Sequence, residues 1–303
     1  MPGKRAPQPS TGGRAATRER HAAEERRAAP AAAAAQVSLR WLLTALGVVV
    51  AGAVGCTFLA LCLLFAQGQW QLLYHPGQPG SRGETPAAVG LGYTAVRFGN
   101  SDGGMPELTG WWVPAATDAP APTVLYLHDG AGWLADTVGA LGRLHGLGCA
   151  VLAIDYRGYG ASAAGHPGEQ RMVEDAERAV EYLLETRHVA PGSLVIWGRG
   201  IGATIAAESG RGHPLVLEAV NRPALEVVCR DARSRYLPIR LLLRDRLDAA
   251  AAVGASSAPK LFVQGPEDDT QRVYAAARGP KTLVAEGDGE QVRAFLRAAA
   301  GGR

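Results

Sequence analysis

The sequence predicts an α/β fold built on a mostly parallel sheet and preceded by one membrane-spanning helix. Two patterns indicate this. Residues 41–66 form a run of 26 residues without a charged side chain, and after it short apolar segments alternate with stretches of helical periodicity. Such alternation is typical of parallel sheets, because two parallel strands need a long crossover connection between them, usually a helix. We therefore divide the chain into residues 1–40, 41–66 and 67–303.

Residues 1–40 form a basic tail, with eight Lys and Arg against three Glu and no apolar periodicity. Such a segment buries too little apolar surface to offset its ordering entropy, so we expect disorder. Basic residues can bind a phosphate backbone, but a positive flank directly before an apolar run is typical of the cytoplasmic side of a membrane helix. We therefore predict a cytoplasmic tail, a domain on the extracytoplasmic side, and no nucleic-acid partner.

The apolar run 41–66 would extend about 39 Å as a helix, enough to cross a hydrocarbon core of about 30 Å. It is too long for the apolar core of a cleaved signal peptide, which is about 7–15 residues. Gly47, Ala51 and Gly55 recur every four residues on one face. Small residues at this spacing let two helices approach closely, so we expect a homodimer contact there.

Eight segments of the domain have the length and composition of strands. They are 94–98, 108–113, 123–127, 150–155, 194–197, 215–218, 260–264 and 282–285. The first two are joined by a hairpin-length connection, and the later ones alternate with helices. The longest predicted helix is 169–185, with an apolar stripe at helical spacing.

Three segments carry a family resemblance. They are His128-Asp-Gly-Ala-Gly132, Asp155-Tyr-Arg-Gly-Tyr-Gly-Ala-Ser162 and Gly198-Arg-Gly200-Ile-Gly202. In that order they resemble the His-Gly-Asn-Ala-Gly turn, the Asp-Tyr-Arg-Gly-Tyr-Gly-x-Ser loop and the Gly-x-Ser-x-Gly turn of membrane-anchored α/β-hydrolases of the serine aminopeptidase-like group. The resemblance covers about residues 70–300. It implies the α/β-hydrolase fold, with an eight-stranded sheet and helices on both faces.

The resemblance also implies a catalytic triad in the chain order Ser, acid, His. Here Gly200 stands at the nucleophile position, although the glycines on either side are kept. Asp268 matches the acid, and Glu290 stands where the family has His. None of the seven histidines follows Asp268, so the triad cannot be assembled in this order. We interpret the chain as a degenerate hydrolase that acts in binding or scaffolding. The alternative is an active esterase or peptidase with a non-standard site.

The anion-binding half of the site is expected to remain. The N–H of Ile201 at a helix start, and an N–H from the turn at Asp129 and Gly130, should point into the pocket. Such donors could hold a small anionic or acyl ligand. We expect Asp268 and Glu290 to face each other. If the two lost groups are the only defect, Gly200→Ser with Glu290→His should restore serine reactivity.

Two serines resemble nucleophiles only in pattern. The literal Gly-x-Ser-x-Gly at 99–103 lies between two predicted strands, and its Asp-Gly pair is typical of hairpin turns. Ser162 matches a loop residue of the family, and the resemblance gives His128 a structural role in the oxyanion loop.

A third alternative is a nucleotide-binding protein. Residues 198–203 fit a dinucleotide fingerprint, and Glu218 follows about 20 residues later, where that motif places its ribose-binding acid. However, the motif follows the fifth predicted strand, whereas the fingerprint belongs to the first βαβ unit. The four cysteines have no metal-site spacing, so we predict neither metal nor cofactor.

Overall fold

The computed structural model describes residues 38–77, 84–100, 104–116, 121–210, 212–266 and 268–301, together with Arg20. The chain divides into two compact units, Met1–Phe58 and Leu59–Arg303. Most of the basic tail lies outside the described residues, so its disorder stays a prediction.

The apolar run forms helix α1, Leu39–Gly68, which extends the predicted span by two residues at each end. Its length and composition suffice to cross a membrane. Two polar side chains within it are satisfied internally. The hydroxyl of Thr44 donates to the Arg40 carbonyl at 2.7 Å, and that of Thr57 to the Ala53 carbonyl at 2.9 Å. Such internal bonds suit a helix that has no water along its length.

The domain is organised around one eight-stranded sheet, as predicted. Its strands are β1 (Thr94–Asn100), β2 (Pro106–Val113), β3 (Thr123–Leu127), β4 (Ala150–Asp155), β5 (Leu194–Arg199), β6 (Leu215–Glu218), β7 (Lys260–Gln264) and β8 (Lys281–Ala285). The order across the sheet is β8-β7-β6-β5-β3-β4-β2-β1. Only β2 runs against the others. The predicted strands differ from these by at most two residues at either end.

Helices cover both faces of the sheet. They are α2 (Trp70–Leu73), α3 (Val138–Gly146), α4 (Glu169–Glu181), α5 (Ile201–Ser209), α6 (Ala224–Cys229), α7 (Ile239–Leu242), α8 (Ala249–Ala255), α9 (Thr270–Ala276) and α10 (Gly289–Gly301). One apolar core contains buried residues of α4, α5, α8 and α9, and a second contains those of α3 and α10. The predicted helix 169–185 is α4 followed by a π-helical turn, Tyr182–Thr186. Because β3 and β4 lie between the two cores, every residue in them is buried.

The topology brings separated parts of the chain to one edge of the sheet. The carboxyl ends of parallel strands meet there, so Asp129 after β3, Gly200 after β5 and Asp268 after β7 lie along the same edge. A short parallel pairing of His75–Pro76 with Ala131–Gly132 adds His75 to the same region.

Candidate functional site

The turn between β5 and α5 keeps the geometry of a nucleophile elbow. Gly200 has φ 61° and ψ −121°, a conformation that side chains on L residues strain to adopt. Its neighbours must also be small. A Cβ on Gly198 would overlap the carbonyl of Gly202, and a Cβ on Gly202 would overlap the carbonyls of Leu127 and His128. The turn therefore combines a backbone strained for L residues with small flanking residues, as a nucleophile elbow does, and it has glycine at its centre.

The carboxylate of Asp129 accepts hydrogen bonds from both of the backbone N–H groups that the sequence predicts to bind an anion. Its Oδ1 accepts hydrogen bonds from the N–H of Gly130 at 2.7 Å, the N–H of Ile201 at 2.9 Å and the side-chain amide of Asn221 at 3.1 Å. A Cβ added to Gly200 would overlap this carboxylate. The two backbone donors predicted to bind an anion therefore do converge. A small anionic or acyl ligand at these donors would have to displace the chain's own carboxylate, and such binding stays a prediction.

Asp268 is held by its own turn. Its Oδ2 accepts hydrogen bonds from the N–H of Gly265 at 2.6 Å and the hydroxyl of Thr270 at 2.7 Å, and its Oδ1 accepts from the N–H of Thr270 at 3.2 Å. Glu290 lies exposed in the first turn of α10. Within the described ranges, no hydrogen bond or ion pair joins it to Asp268. The expectation that these two carboxylates face each other stays a prediction.

A cavity of about 460 Å³ opens beside the elbow. Its lining includes Asp129, Gly200 and Asp268, and it adds polar side chains that the sequence motifs did not single out: His75, Asn221, Arg222 and Arg230. The described part of this lining contains no serine, threonine, cysteine or lysine. A covalent mechanism in this cavity would have to use an imidazole or a carboxylate.

His128 and Asp155 form a buried pair behind the elbow. His128 Nδ1 lies 2.6 Å from the carbonyl of Asp129, so Nδ1 carries the proton and Nε2 is left as an acceptor. Nε2 lies 3.7 Å from Asp155 Oδ1, which accepts the N–H of Leu134 at 2.8 Å. Burial lowers the pKa of His128 to about 4 and raises the pKa of Asp155 to about 7. A neutral imidazole beside a protonated carboxyl group agrees with both pKa shifts.

The remaining sequence candidates have structural partners. Ser162 donates to the Asp155 carbonyl at 2.6 Å and accepts the N–H of Thr109 at 2.9 Å, so it joins the loop to the sheet as predicted. Ser101 lies outside the described residues. Glu218 accepts the indole N–H of Trp197 at 2.8 Å and pairs with Arg199. It therefore has partners other than a ribose. With Asp129 on the N–H of Ile201, a dinucleotide phosphate would first have to displace a carboxylate.

One signal for the role of Asp129 was present in the sequence. This aspartate directly follows His128, where the family pattern has glycine. Motif spacing could not show which way its carboxylate turns. Asn221, which completes the cluster around Oδ1, lies 92 positions away and matches no motif.

A glycine-flanked elbow and an acid turn at the carboxyl edge of a sheet with this strand order define the chain as an α/β-hydrolase fold. Comparisons with known proteins agree. Residues 119–224 match the family described as serine aminopeptidase, S33. That match covers the Asp129 turn and the elbow and ends before Asp268.

The comparisons also show the family. The chain is 32% identical over 235 residues to an uncharacterised protein of Mycobacterium tuberculosis, covering 71% of this chain and 78% of that protein. It is 28% identical over 268 residues to the α/β-hydrolase domain-containing protein WAV2 of Arabidopsis thaliana, covering 79% and 83%. The chain belongs to the α/β-hydrolase family.

Solved structures show the same fold at low identity. The esterase Pf2001 of Pyrococcus furiosus superposes with a TM-score of 0.55 at 17% identity, covering 74% of this chain and 98% of that one. An α/β hydrolase of Vibrio vulnificus gives 0.54 at 19% identity, covering 70% and 79%.

Proposed function

We propose that this chain is a catalytically inactive member of the α/β-hydrolase family, anchored in a membrane by residues 41–66, that acts in binding or scaffolding. The observation that carries the proposal is the carboxylate of Asp129 in the oxyanion position. Acyl transfer places negative charge at that point in the transition state. A carboxylate there uses the donors that would stabilise this charge, and it repels the charge itself.

The missing reacting groups also support an inactive site, as the occupied donors do. Gly200 supplies no hydroxyl, and no histidine follows Asp268 along the chain. A serine restored at the elbow would still lack a base to take its proton. The site therefore lacks the family's serine, the histidine that should follow the acid, and an open anion site together.

The test is covalent labelling of the full chain by a fluorophosphonate, combined with hydrolysis of a p-nitrophenyl ester. We expect no label and no turnover above background, because no serine lies in the described part of the cavity lining. Labelling would overturn the proposal. So would turnover that Asp268→Asn or His75→Gln abolishes, since that result would establish the alternative of a non-standard active site.

The proposed topology places residues 1–40 in the cytoplasm and the domain on the other side of the membrane. It is supported by the eight-to-three bias of basic over acidic residues before the apolar helix. Protease added to intact cells or spheroplasts should cleave the domain and spare the tail. Cleavage of the tail with the domain protected would reverse the orientation.

We also propose self-association of α1 through Gly47, Ala51 and Gly55. A Cβ added at Gly47 or at Gly55 would meet no atom within 4 Å, so this face is free to receive a second helix. Replacing Gly47 and Gly55 with leucine should lower the signal of an association reporter fused to the helix. Replacing Gly52, a glycine with equally open surroundings that lies outside this repeat, is the control. Equal signals from both variants would exclude the contact.

A further inference from the structure

The segment between β6 and β7 forms a small layer of its own, here termed the cap segment (residues 224–246). It contains α6, a 3-10 turn at Ala232–Tyr236, and α7. Buried residues of α6 and α7 join the same apolar core as α5. The cap segment is thus a fixed part of the domain.

Hydrogen bonds hold the cap segment at the carboxyl end of helix α1. The buried side chain of Gln69 donates to the Leu242 carbonyl at 3.2 Å and to the Ala66 carbonyl at 2.8 Å, and its oxygen accepts the N–H of Arg244 at 2.8 Å. The hydroxyl of Tyr74 donates to Asp245 at 2.9 Å. Residues 59–74 and the cap segment belong to one compact unit. The cap segment therefore sits where the apolar helix ends.

The cap segment exposes large apolar side chains at that position. Leu241 is 86% exposed and Tyr236 75%, and both values exceed those of every large apolar residue of α1, where Val48 has the highest at 73%. Tyr236 and Leu241 both belong to the cap segment, five positions apart in the chain, and exposed apolar side chains grouped on one surface mark a contact with a partner or a membrane. A tyrosine, with an apolar ring and a polar hydroxyl, suits a membrane interface.

Arginines without an ion-pair partner among the described residues flank these apolar residues along the chain. The cap segment has six Arg against three acidic residues. The side chains of Arg235, Arg240 and Arg244 are exposed, and none has an ion-pair partner among the described residues. By contrast, Arg157 and Arg178 both pair with acidic side chains of the domain. Three free guanidinium groups beside exposed apolar residues match the chemistry of an anionic lipid surface.

We propose that the cap segment is a membrane-docking surface. Tyr236 and Leu241 insert at the headgroup boundary, and Arg235, Arg240 and Arg244 bind the phosphates of anionic phospholipids in the bilayer that α1 crosses. This inference rests on the proposed membrane anchor. The helix fixes the height of the domain above the bilayer, and the cap segment fixes which surface of the domain faces the lipid.

The test is hydrogen exchange on the full chain, reconstituted into vesicles of phosphatidylcholine alone or of phosphatidylcholine with phosphatidylglycerol. Amides of residues 235–246 should exchange about tenfold more slowly in the anionic vesicles. The variant R235Q/R240Q/R244Q should lose this difference. The matched control is R293Q/R297Q, which removes exposed charges from α10 on the opposite face of the sheet and should keep it.

A second variant, Y236S/L241S, should exchange quickly in both lipids, because it removes the inserted side chains and leaves the arginines. The melting temperature of R235Q/R240Q/R244Q in detergent should equal that of the unchanged protein, since these guanidinium groups have no ion-pair partner in the described part of the chain. If the chain floats with vesicles but residues 235–246 exchange equally in both lipids, docking is overturned and the anchor stands. If the chain does not float with vesicles, the anchor itself is wrong and docking falls with it.

Discussion

Replacing Gly200 with serine is expected to lower the free energy of unfolding by about 3 kcal/mol and to leave the protein unlabelled by a fluorophosphonate. Part of this cost is backbone strain, because a side chain at a φ of 61° loses about 1 kcal/mol relative to glycine. The rest comes from Asp129, whose carboxylate overlaps the new Cβ. To make room, Asp129 must give up its hydrogen bonds from Gly130, Ile201 and Asn221.

The part of this cost that comes from the overlap with Asp129 can be isolated by a double-mutant cycle. In an Asp129→Gly background, Gly200→Ser should cost only about 1 kcal/mol, so the two positions should couple by about 2 kcal/mol. Gly90→Ser is the matched control, because Gly90 has a φ of 76° and no neighbour within 4 Å of its added Cβ. It should cost the same with or without Asp129. Denaturant unfolding of the full chain in detergent measures all of these values. An equal cost of Gly200→Ser in both backgrounds would show that Asp129 does not occupy the elbow.

The structure also changes the expectation for Gly200→Ser combined with Glu290→His. The sequence predicted that this pair would restore reactivity if the two lost groups were the only defect. Glu290 lies exposed, and Asp129 accepts the N–H of Ile201 at the anion site. We therefore expect the double variant to stay unlabelled.

The fold could be predicted from the sequence because its strands are buried and its motifs lie at strand ends. The segments 123–127 and 150–155 are mostly apolar, and every residue in both strands is buried. The order of the strands across the sheet was not predicted, because apolar patterning does not encode which strands are neighbours. The π-helical turn at Tyr182–Thr186 was not predicted, since it shifts the hydrogen-bond ladder without changing the apolar stripe.

The site could be predicted only as far as backbone motifs extend. The turn at Gly200 and the helix start at Ile201 could be predicted because a strand, a glycine turn and a helix leave few alternatives for the backbone. The partners of Asp129 and Asp268 depend on side-chain directions. Asp268 turns back to Thr270, two residues away, whereas Asp129 reaches across to Ile201, 72 positions away. Neither side-chain direction produces a periodic pattern in the sequence.

Asp155→Asn and His128→Asn are expected to give stability profiles that slope in opposite directions with pH. In the folded protein, the pKa of His128 is lowered from 6.5 to about 4, and the pKa of Asp155 is raised from 3.8 to about 7. Between pH 4 and 6.5 the folded pair therefore holds one proton on Asp155, and the unfolded chain holds one on His128. The two effects cancel, so the intact pair contributes almost no pH dependence in this range.

Each variant removes one of the two titrating groups, so its effect on stability is no longer cancelled. In Asp155→Asn, His128 of the unfolded chain binds a proton below pH 6.5. In the folded protein, His128 stays neutral until the pH falls to about 4. Stability should then fall as the pH is lowered, by about 3 kcal/mol in total. In His128→Asn, the folded protein keeps the Asp155 proton up to about pH 7, whereas the unfolded chain releases it near 3.8. Stability should then fall as the pH is raised, by about 4 kcal/mol.

Both substitutions keep the hydrogen bonds that shape the loop. Asparagine at 155 can still accept the N–H of Leu134, and asparagine at 128 places an amide N–H where Nδ1 now donates to Asp129. Denaturant unfolding of each variant and of the unchanged chain at a series of pH values gives the difference profiles, in which all other titrating groups cancel. Because the folded pair holds its proton in a dry environment, the slopes must differ in sign. Parallel profiles for the two variants would show instead that water reaches His128 and Asp155, and that the turn carrying Asp129 is open from behind.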